Sequence, residues 1–230
     1  EGNLYLSTGD NTNPHGSNGY SPSDERPDRS AWDAQKSSSN TNDLRGKIIR
    51  IKPLPNGTYA IPDGNLFAKG TALARPEIYT MGHRNPFRIS VDKKTGYVYW
   101  GEVGPDANAP DSLRGPAGHD EVGQAKQAGN YGWPHFVGDN KAYTRFDFLQ
   151  NKSLEKWSAE KPINTSPNNT GLQELPPAQK AFIWYPYGES KEFPLVGNGG
   201  RNAMAGPVFY SEDFKTAARA FPNYYEGKLF

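Results

Sequence analysis

An arginine and an asparagine stand side by side in "GHRNPFR", residues 82–88. A guanidinium beside an amide offers a fan of N–H donors, suited to an oxygen that gains negative charge. Pro86 follows, and a proline biases the residue before it toward extended backbone, which sets Arg84 and Asn85 at the entry to a strand. A second group lies downstream, where "WGEVGPDA" (100–107) runs from an aromatic, strand-like stretch into Gly104-Pro105-Asp106. Proline removes a backbone N–H and stops a central strand, so the carbonyls of Gly104 and Pro105 are expected to be free of any ladder. Calcium takes six to eight oxygens, many from backbone carbonyls and carboxylates, and Asp106, Asp120 and Glu121 supply carboxylates nearby. On residue types alone each group also has a plain structural reading. The arginine could pair with a buried carboxylate, and the turn could be an ordinary acidic turn.

The rest of the chain narrows the chemistry by what it lacks. There is no glycine-rich phosphate loop, no zinc-binding His-Glu pair on a helix and no nucleophile elbow. His15, His83, His119 and His135 are scattered, and each taken singly reads as a structural or surface histidine. Cysteine is absent, which excludes disulfides and thiolate metal sites and suits a bacterial exported protein. Lys plus Arg total 26 against 25 Asp plus Glu, a balance that gives no electrostatic reason to expect nucleic acid or an anionic membrane surface. No run of about 18 apolar residues exists to span a bilayer.

The elements that must position these residues read as strands and turns. Glycine (25) and proline (20) are abundant while aromatics make up 13 % of the chain, a composition of many turns around an ordered core. Strands are expected at about 3–8, 47–52, 88–92 and 97–102, with hairpin turns at Asn56-Gly57 and across Asp92–Gly96. "KAFIWYPYG" (180–188) and "AGPVFYSEDF" (205–214) read as further strands, and "SEDFKTAARAF" as one short helix. "EGNLYLSTGDN" and "TGYVYWGEVGPD" echo each other at a separation of about two repeats of the ~40–50 residues typical of a propeller blade. Radially stacked four-stranded blades produce such an echo. Long polar stretches at 11–43 and about 139–178 interrupt it; loops of that length are usually functional or else disordered, and Trp32 and Tyr20 favour order at 11–43. Nothing in the 230 residues closes a ring, so the chain reads as part of a single propeller domain within a longer protein.

In order and spacing, "YTMGHRNPFRISVD", "GEVGPDA", "DEVGQAKQAGNYGWP" and "GGRNAMAGPVFY" resemble the glucose/sorbosone dehydrogenase family, the soluble aldose dehydrogenases that depend on pyrroloquinoline quinone (PQQ). The resemblance runs from "NLYLSTGD" to the C-terminus. It implies an all-β, six-bladed propeller of which this chain covers part, with PQQ and Ca²⁺ over the central channel. It implies that the Gly104 and Pro105 carbonyls ligate the calcium that PQQ chelates, and that Arg84 and Asn85 hold the quinone oxygen beside the carbon that accepts hydride. It implies a separate calcium at Glu121 and Tyr131, whose ten-residue spacing matches. Trp184 is a candidate for stacking on PQQ and Arg201 for a further cofactor contact. The function implied is oxidation of an aldose at the anomeric carbon, in the periplasm or outside a bacterial cell. Electrons would pass to an external acceptor such as a cytochrome c, and the rest of the propeller would complete the site. The family's general base, a histidine upstream of the strand matching "NLYLSTGD", and its cationic PQQ clamp fall outside this chain, which is therefore expected to be inactive alone. The rival reading is a cofactor-free propeller that binds glycan or protein, with Trp157, Tyr185 and Tyr187 as platforms.

Overall fold

Two hairpins form where the turn residues require them. At Asn56-Gly57 the glycine has φ of 79° and its amide donates to the Leu54 carbonyl, closing a turn that a side-chain-bearing residue resists. At Asp92–Gly96 the Asp92 carboxylate takes the amide of Lys94 and the hydroxyl of Thr95. The computed structural model describes residues 2–230. Its strands are β1 (Leu4–Thr8), β2 (Lys47–Pro53), β3 (Tyr59–Ala60), β4 (Ile78–Met81), β5 (Pro86–Val91), β6 (Val98–Glu102) and β7 (Asp120–Ala125). They continue as β8 (Gly129–Asn130), β9 (Phe136–Val137), β10 (Lys141–Ala142), β11 (Thr144–Asp147), β12 (Lys152–Lys156) and β13 (Ile183–Tyr185). The only helical elements among the described residues are short 3₁₀ turns, so the chain is all-β.

Two sheets carry the architecture. The first has the order β1-β2-β4-β8, with β3 paired to the end of β2; the second has the order β13-β7-β6-β5. The second is an antiparallel meander closed by β13, with Glu102 opposite Glu121 and Trp100 opposite Gly123. The first departs from a simple meander, because β8 lies parallel to β4 through a two-residue pairing. The sheets meet through one apolar cluster in which Ile48 and Tyr79 of the first pack against Val98, Trp100 and Ala125 of the second. Gly123 makes room for it, since a Cβ there would fall 2.1 Å from the Trp100 indole.

Three expectations are corrected. The 205–214 stretch forms no strand, only an isolated bridge between Val208 and Leu229. Pro207 has no amide to give a ladder. The expected helix shortens to a 3₁₀ turn over Ser211–Phe214. The 139–178 region is no bare loop, because β11 and β12 make a hairpin within it.

The 11–43 loop is ordered largely by polar bonds, with Ala34 and Tyr20 packed on the cluster of Trp133, Phe136 and Tyr143. Ser37 to Thr41 are all buried. Lys47, fully buried on β2, donates its ammonium to the carbonyls of Ser37 (2.7 Å), Ser38 (3.1 Å) and Arg45 (2.8 Å). The 139–178 region grips the same loop: Asn164 Nδ2 donates to the Gln35 and Ser39 carbonyls, and the Ser166 hydroxyl donates to Asp33 Oδ2. On its other flank the loop meets the segment after Pro105. The Ala107 amide donates to the Gly19 carbonyl at 2.9 Å, and Tyr20 Oη donates to the Ala109 carbonyl at 2.9 Å.

Candidate functional site

Arg84 and Asn85 sit in the short crossing from β4 to β5, and one carboxylate fixes them there. Glu102, the last residue of β6, accepts the Arg84 amide and, at 3.3 Å, the Asn85 amide on Oε1. Its Oε2 lies 3.2 Å from His83 Nδ1, while His83 Nε2 lies 2.8 Å from the Thr80 hydroxyl. Behind this crossing the Ser38 hydroxyl donates to the His83 carbonyl at 2.6 Å and the Gly82 amide donates to the Ser38 carbonyl at 3.1 Å. The loop held by Lys47 thus braces the Arg-Asn pair, a link that no local motif announces. His83 is a buried structural histidine, as is His135, which stacks on Trp157 and whose burial pushes its pKa down to about 3.

The pair borders an open cleft of about 260 Å³ lined by Gly9, Asp10, Asn11, Thr12, Pro14, Pro22, Arg84 and Asn85. Asp10 escaped the sequence reading. It is buried, accepts Trp133 Nε1 at 2.9 Å on Oδ2 and the Thr12 amide at 3.0 Å on Oδ1. Burial raises its pKa to about 6, against the pull of those donors and of Arg84. Among the described residues that line this cleft it is the one carboxylate, and it titrates near neutrality. The signal in the sequence was Gly9-Asp10 ending an apolar strand, a pattern that reads as a mere turn.

Arg84 also donates Nη1 to the Val103 carbonyl at 2.9 Å, and with Gly104, Pro105, Glu102, Glu121, His119 and Trp133 it lines a small cavity. That cavity encloses about 10 Å³, room for a single water. The structure therefore brings Arg84, Gly104, Pro105 and Glu121 together, with Asn85 on the adjoining cleft. A tricyclic quinone fits the donors and the room of the cleft beside Arg84 and Asn85, and finds no room against the Gly104–Pro105 turn.

The turn itself is tightly held. The Gly104 amide donates to Asp120 Oδ1 at 3.0 Å, and a Cβ on Gly104 would fall 1.8 Å from the His119 carbonyl oxygen. The Pro105 carbonyl accepts Nη2 of Arg201 at 2.9 Å. A calcium ion on the same oxygen would press against that guanidinium; two unit charges 4 Å apart repel by about 4 kcal/mol even at an effective dielectric of 20. The free carbonyl pair expected from sequence is thus half taken, and the turn does not fit a calcium ion.

Glu121 and Tyr131 have separate partners. Glu121 Oε1 accepts the Gly138 amide, and burial together with Glu102 pushes its carboxyl well above the usual range. Tyr131 packs edge-on against Trp100 and donates its hydroxyl to the Gln124 carbonyl at 2.9 Å. No cluster of three or more His, Cys, Asp or Glu able to hold a metal occurs among the described residues, so backbone oxygens would have to complete a calcium site at Glu121. Trp184, paired with Glu121 across β13 and β7, packs against Gly138 and edge-on against Phe193, and its indole N–H is buried without a partner. The buried Tyr143 hydroxyl is likewise unpartnered. Of the aromatics expected as platforms, Trp157 is a core residue stacked on His135, Tyr185 is half-buried, and Tyr187 lies under the Arg201 guanidinium.

The family model for glucose/sorbosone dehydrogenase matches residues 1–166, and the chain belongs to that family. It is 30 % identical over 151 residues to HIPL2 protein of Arabidopsis thaliana, covering 60 % of this chain and 18 % of that protein. It is 32 % identical over 91 residues to aldose sugar dehydrogenase YliI of Escherichia coli K12, covering 40 % of this chain and 20 % of that enzyme. The matched stretch thus spans about a fifth of the length of these relatives. The solved soluble aldose sugar dehydrogenase of Escherichia coli, in its apo form, aligns over 86 % of this chain and 43 % of its own with 20 % identity and a TM-score of 0.42. Among the described residues no helix is long and apolar enough to cross a membrane.

Proposed function

We propose that the chain is part of a sugar dehydrogenase that oxidises an aldose at its anomeric carbon, with PQQ as the electron acceptor. Membership of the family supports the reaction class. The observation that carries the site is Glu102 fixing the Arg84 and Asn85 backbone at the rim of a cleft that also holds Asp10. PQQ, when bound, supplies a two-electron acceptor. Arg84 and Asn85 would hold its reacting oxygen with preorganised donors and stabilise the charge that develops there. Asp10 would set the charge of the cleft, neutral below about pH 6 and anionic above it. A calcium ion beside Glu121 would supply a charged partner to a buried carboxylate held only by the Gly138 amide, with Tyr131 contributing through its backbone because its hydroxyl is already committed. Trp184 and Arg201, the further cofactor contacts implied by the resemblance, do not line this cleft.

The whole protein would be a six-bladed ring, with the two sheets described here within it and residues 1–230 part of one domain carrying insertions at 11–43 and 139–178. Periplasmic or secreted placement, an aldose substrate and an acceptor such as cytochrome c belong to the same proposal. The test is dye-linked aldose oxidation with added PQQ and Ca²⁺, by the 230-residue chain and by the full-length protein. Turnover only in the longer protein, abolished in Arg84→Ala, is expected, because the base histidine implied by the family resemblance falls outside this chain. Equal turnover in both would place the base within this chain and make Asp10 the first suspect. Glycan binding without turnover in either would favour a cofactor-free binding module.

A further inference from the structure

Two charged side chains hold the Gly104–Pro105 turn. Asp120 takes the Gly104 amide on Oδ1 at 3.0 Å and the Ala203 amide on Oδ2 at 2.8 Å. Arg201 donates Nη2 to the Pro105 carbonyl at 2.9 Å, and its Nε lies 3.6 Å from Asp120 Oδ1. The Arg201 side chain is 1 % exposed and its Cζ lies 3.7 Å from the Tyr187 ring centroid. Gly118 keeps the approach open, since a Cβ there would fall 1.6 Å from the Pro105 carbonyl oxygen and 3.1 Å from Arg201 Nη1. Nε and Nη1 of Arg201 are buried and have no hydrogen-bond partner.

A guanidinium stays charged in proteins, so a fixed positive charge faces the oxygen that sequence reading offered to a metal. An arginine with a purely structural task would have its buried donors paired, because leaving them unpaired is costly. Lys47 shows that outcome in the same molecule, with its ammonium shared among three carbonyls. We propose that Arg201 is the built-in cation of this turn. Its guanidinium, beside the Asp120 carboxylate, occupies the electrostatic place of a divalent ion at Pro105, so the turn needs no metal. This inference does not rest on the quinone-dependent reading above.

The test uses calcium alone, titrated calorimetrically into the full chain in a Glu121→Gln background that silences the other expected cation position. With Arg201 intact, no calcium should bind. Arg201→Met removes the competing charge and should create one site per chain, at least roughly tenfold tighter than any residual uptake. Arg201→Lys keeps a positive charge and should stay calcium-free, which preserves the test if the methionine variant does not fold. One calcium bound with Arg201 intact and unchanged in Arg201→Met overturns the proposal. So does a methionine variant that folds and binds none, or a lysine variant that binds calcium.

Discussion

Two buried cations make opposite use of backbone carbonyls. Lys47, beneath the 11–43 loop, has three carbonyl partners and no N–H to spare. Arg201, at the Gly104–Pro105 turn, has one carbonyl partner and two buried nitrogens unpaired. Around Lys47 the neighbours are equally satisfied, with Asn164, Ser166 and Asp33 closing on one another. Elsewhere unpaired buried groups remain: the Tyr143 hydroxyl, the Trp184 indole and, within the 11–43 loop, the Ser21 and Ser23 hydroxyls. A network with every donor paired rigidifies a fold, whereas one left incomplete holds donors in reserve. The difference separates a cation that ties a loop together from one whose donors are only partly used.

The largest effect should come from breaking the satisfied side. Lys47→Met strands three carbonyls and loosens the loop that braces His83, and should cost about 2–5 kcal/mol in urea denaturation. Burial lowers the Lys47 pKa from 10.5 to about 7. Between those values the folded state binds fewer protons than the unfolded one, so wild-type stability should rise with pH across that window. The methionine variant should lose that rise. A flat wild-type profile from pH 7 to 10 would show that the carbonyls hold the ammonium charged and that burial does not govern this lysine.

Next is Glu102→Ala, which removes the acceptor for two site amides. It should cost about 2–3 kcal/mol and abolish PQQ binding, while Glu102→Gln, which keeps one carbonyl oxygen, should retain most of the stability. Equal PQQ affinity in the alanine variant would detach Glu102 from the site.

Asp10→Asn should act with opposite signs on fold and ligand. The Asp10 pKa rises from 3.8 to about 6 on folding, so the folded state holds its proton longer and stability falls as pH climbs through that window. At pH 7 the asparagine variant should be more stable by about 2 kcal/mol, with the gain gone near pH 3.5, and should lose activity in the full-length protein. Greater stability with unchanged activity would reduce Asp10 to a burial cost. The smallest effect is that of Tyr143→Phe. Removing an unpaired buried hydroxyl should raise stability by about 1 kcal/mol, so a drop in PQQ affinity beside that gain would mark the hydroxyl as a ligand contact.

The strands were legible because their periodicity and turn chemistry are local: β1, β2, β5 and β6 lie within a residue or two of where Asn56-Gly57, Asp92–Gly96 and Pro86 set them. The Arg84-Asn85 pair was legible for the same reason. The parallel pairing of β8 on β4 was not, because it depends on residues some fifty positions apart and no turn announces it. The bonds that order the 11–43 loop were hidden too, since its serines and asparagines are held by Asn164 and Ser166 from far along the chain. Pro105 was read as an open carbonyl because its cation, Arg201, comes from 96 residues away. Composition could not reveal that Asp10 is buried beneath Trp133.

The bonds between the 11–43 loop and the segment after Pro105 make the loop independent of its own covalent continuity. A protease cut after Arg29 would leave residues 2–29 still paired through β1 to β2. Gly19 and Tyr20 would still hold Ala107 and Ala109, and Ser21 would still accept Arg114 Nη2 at 3.0 Å. The nicked molecule would travel as one particle on a sizing column and separate into two bands only after denaturation. Such a pair could be reassembled from separately made halves, one of them carrying a probe on the peptide that borders the cleft.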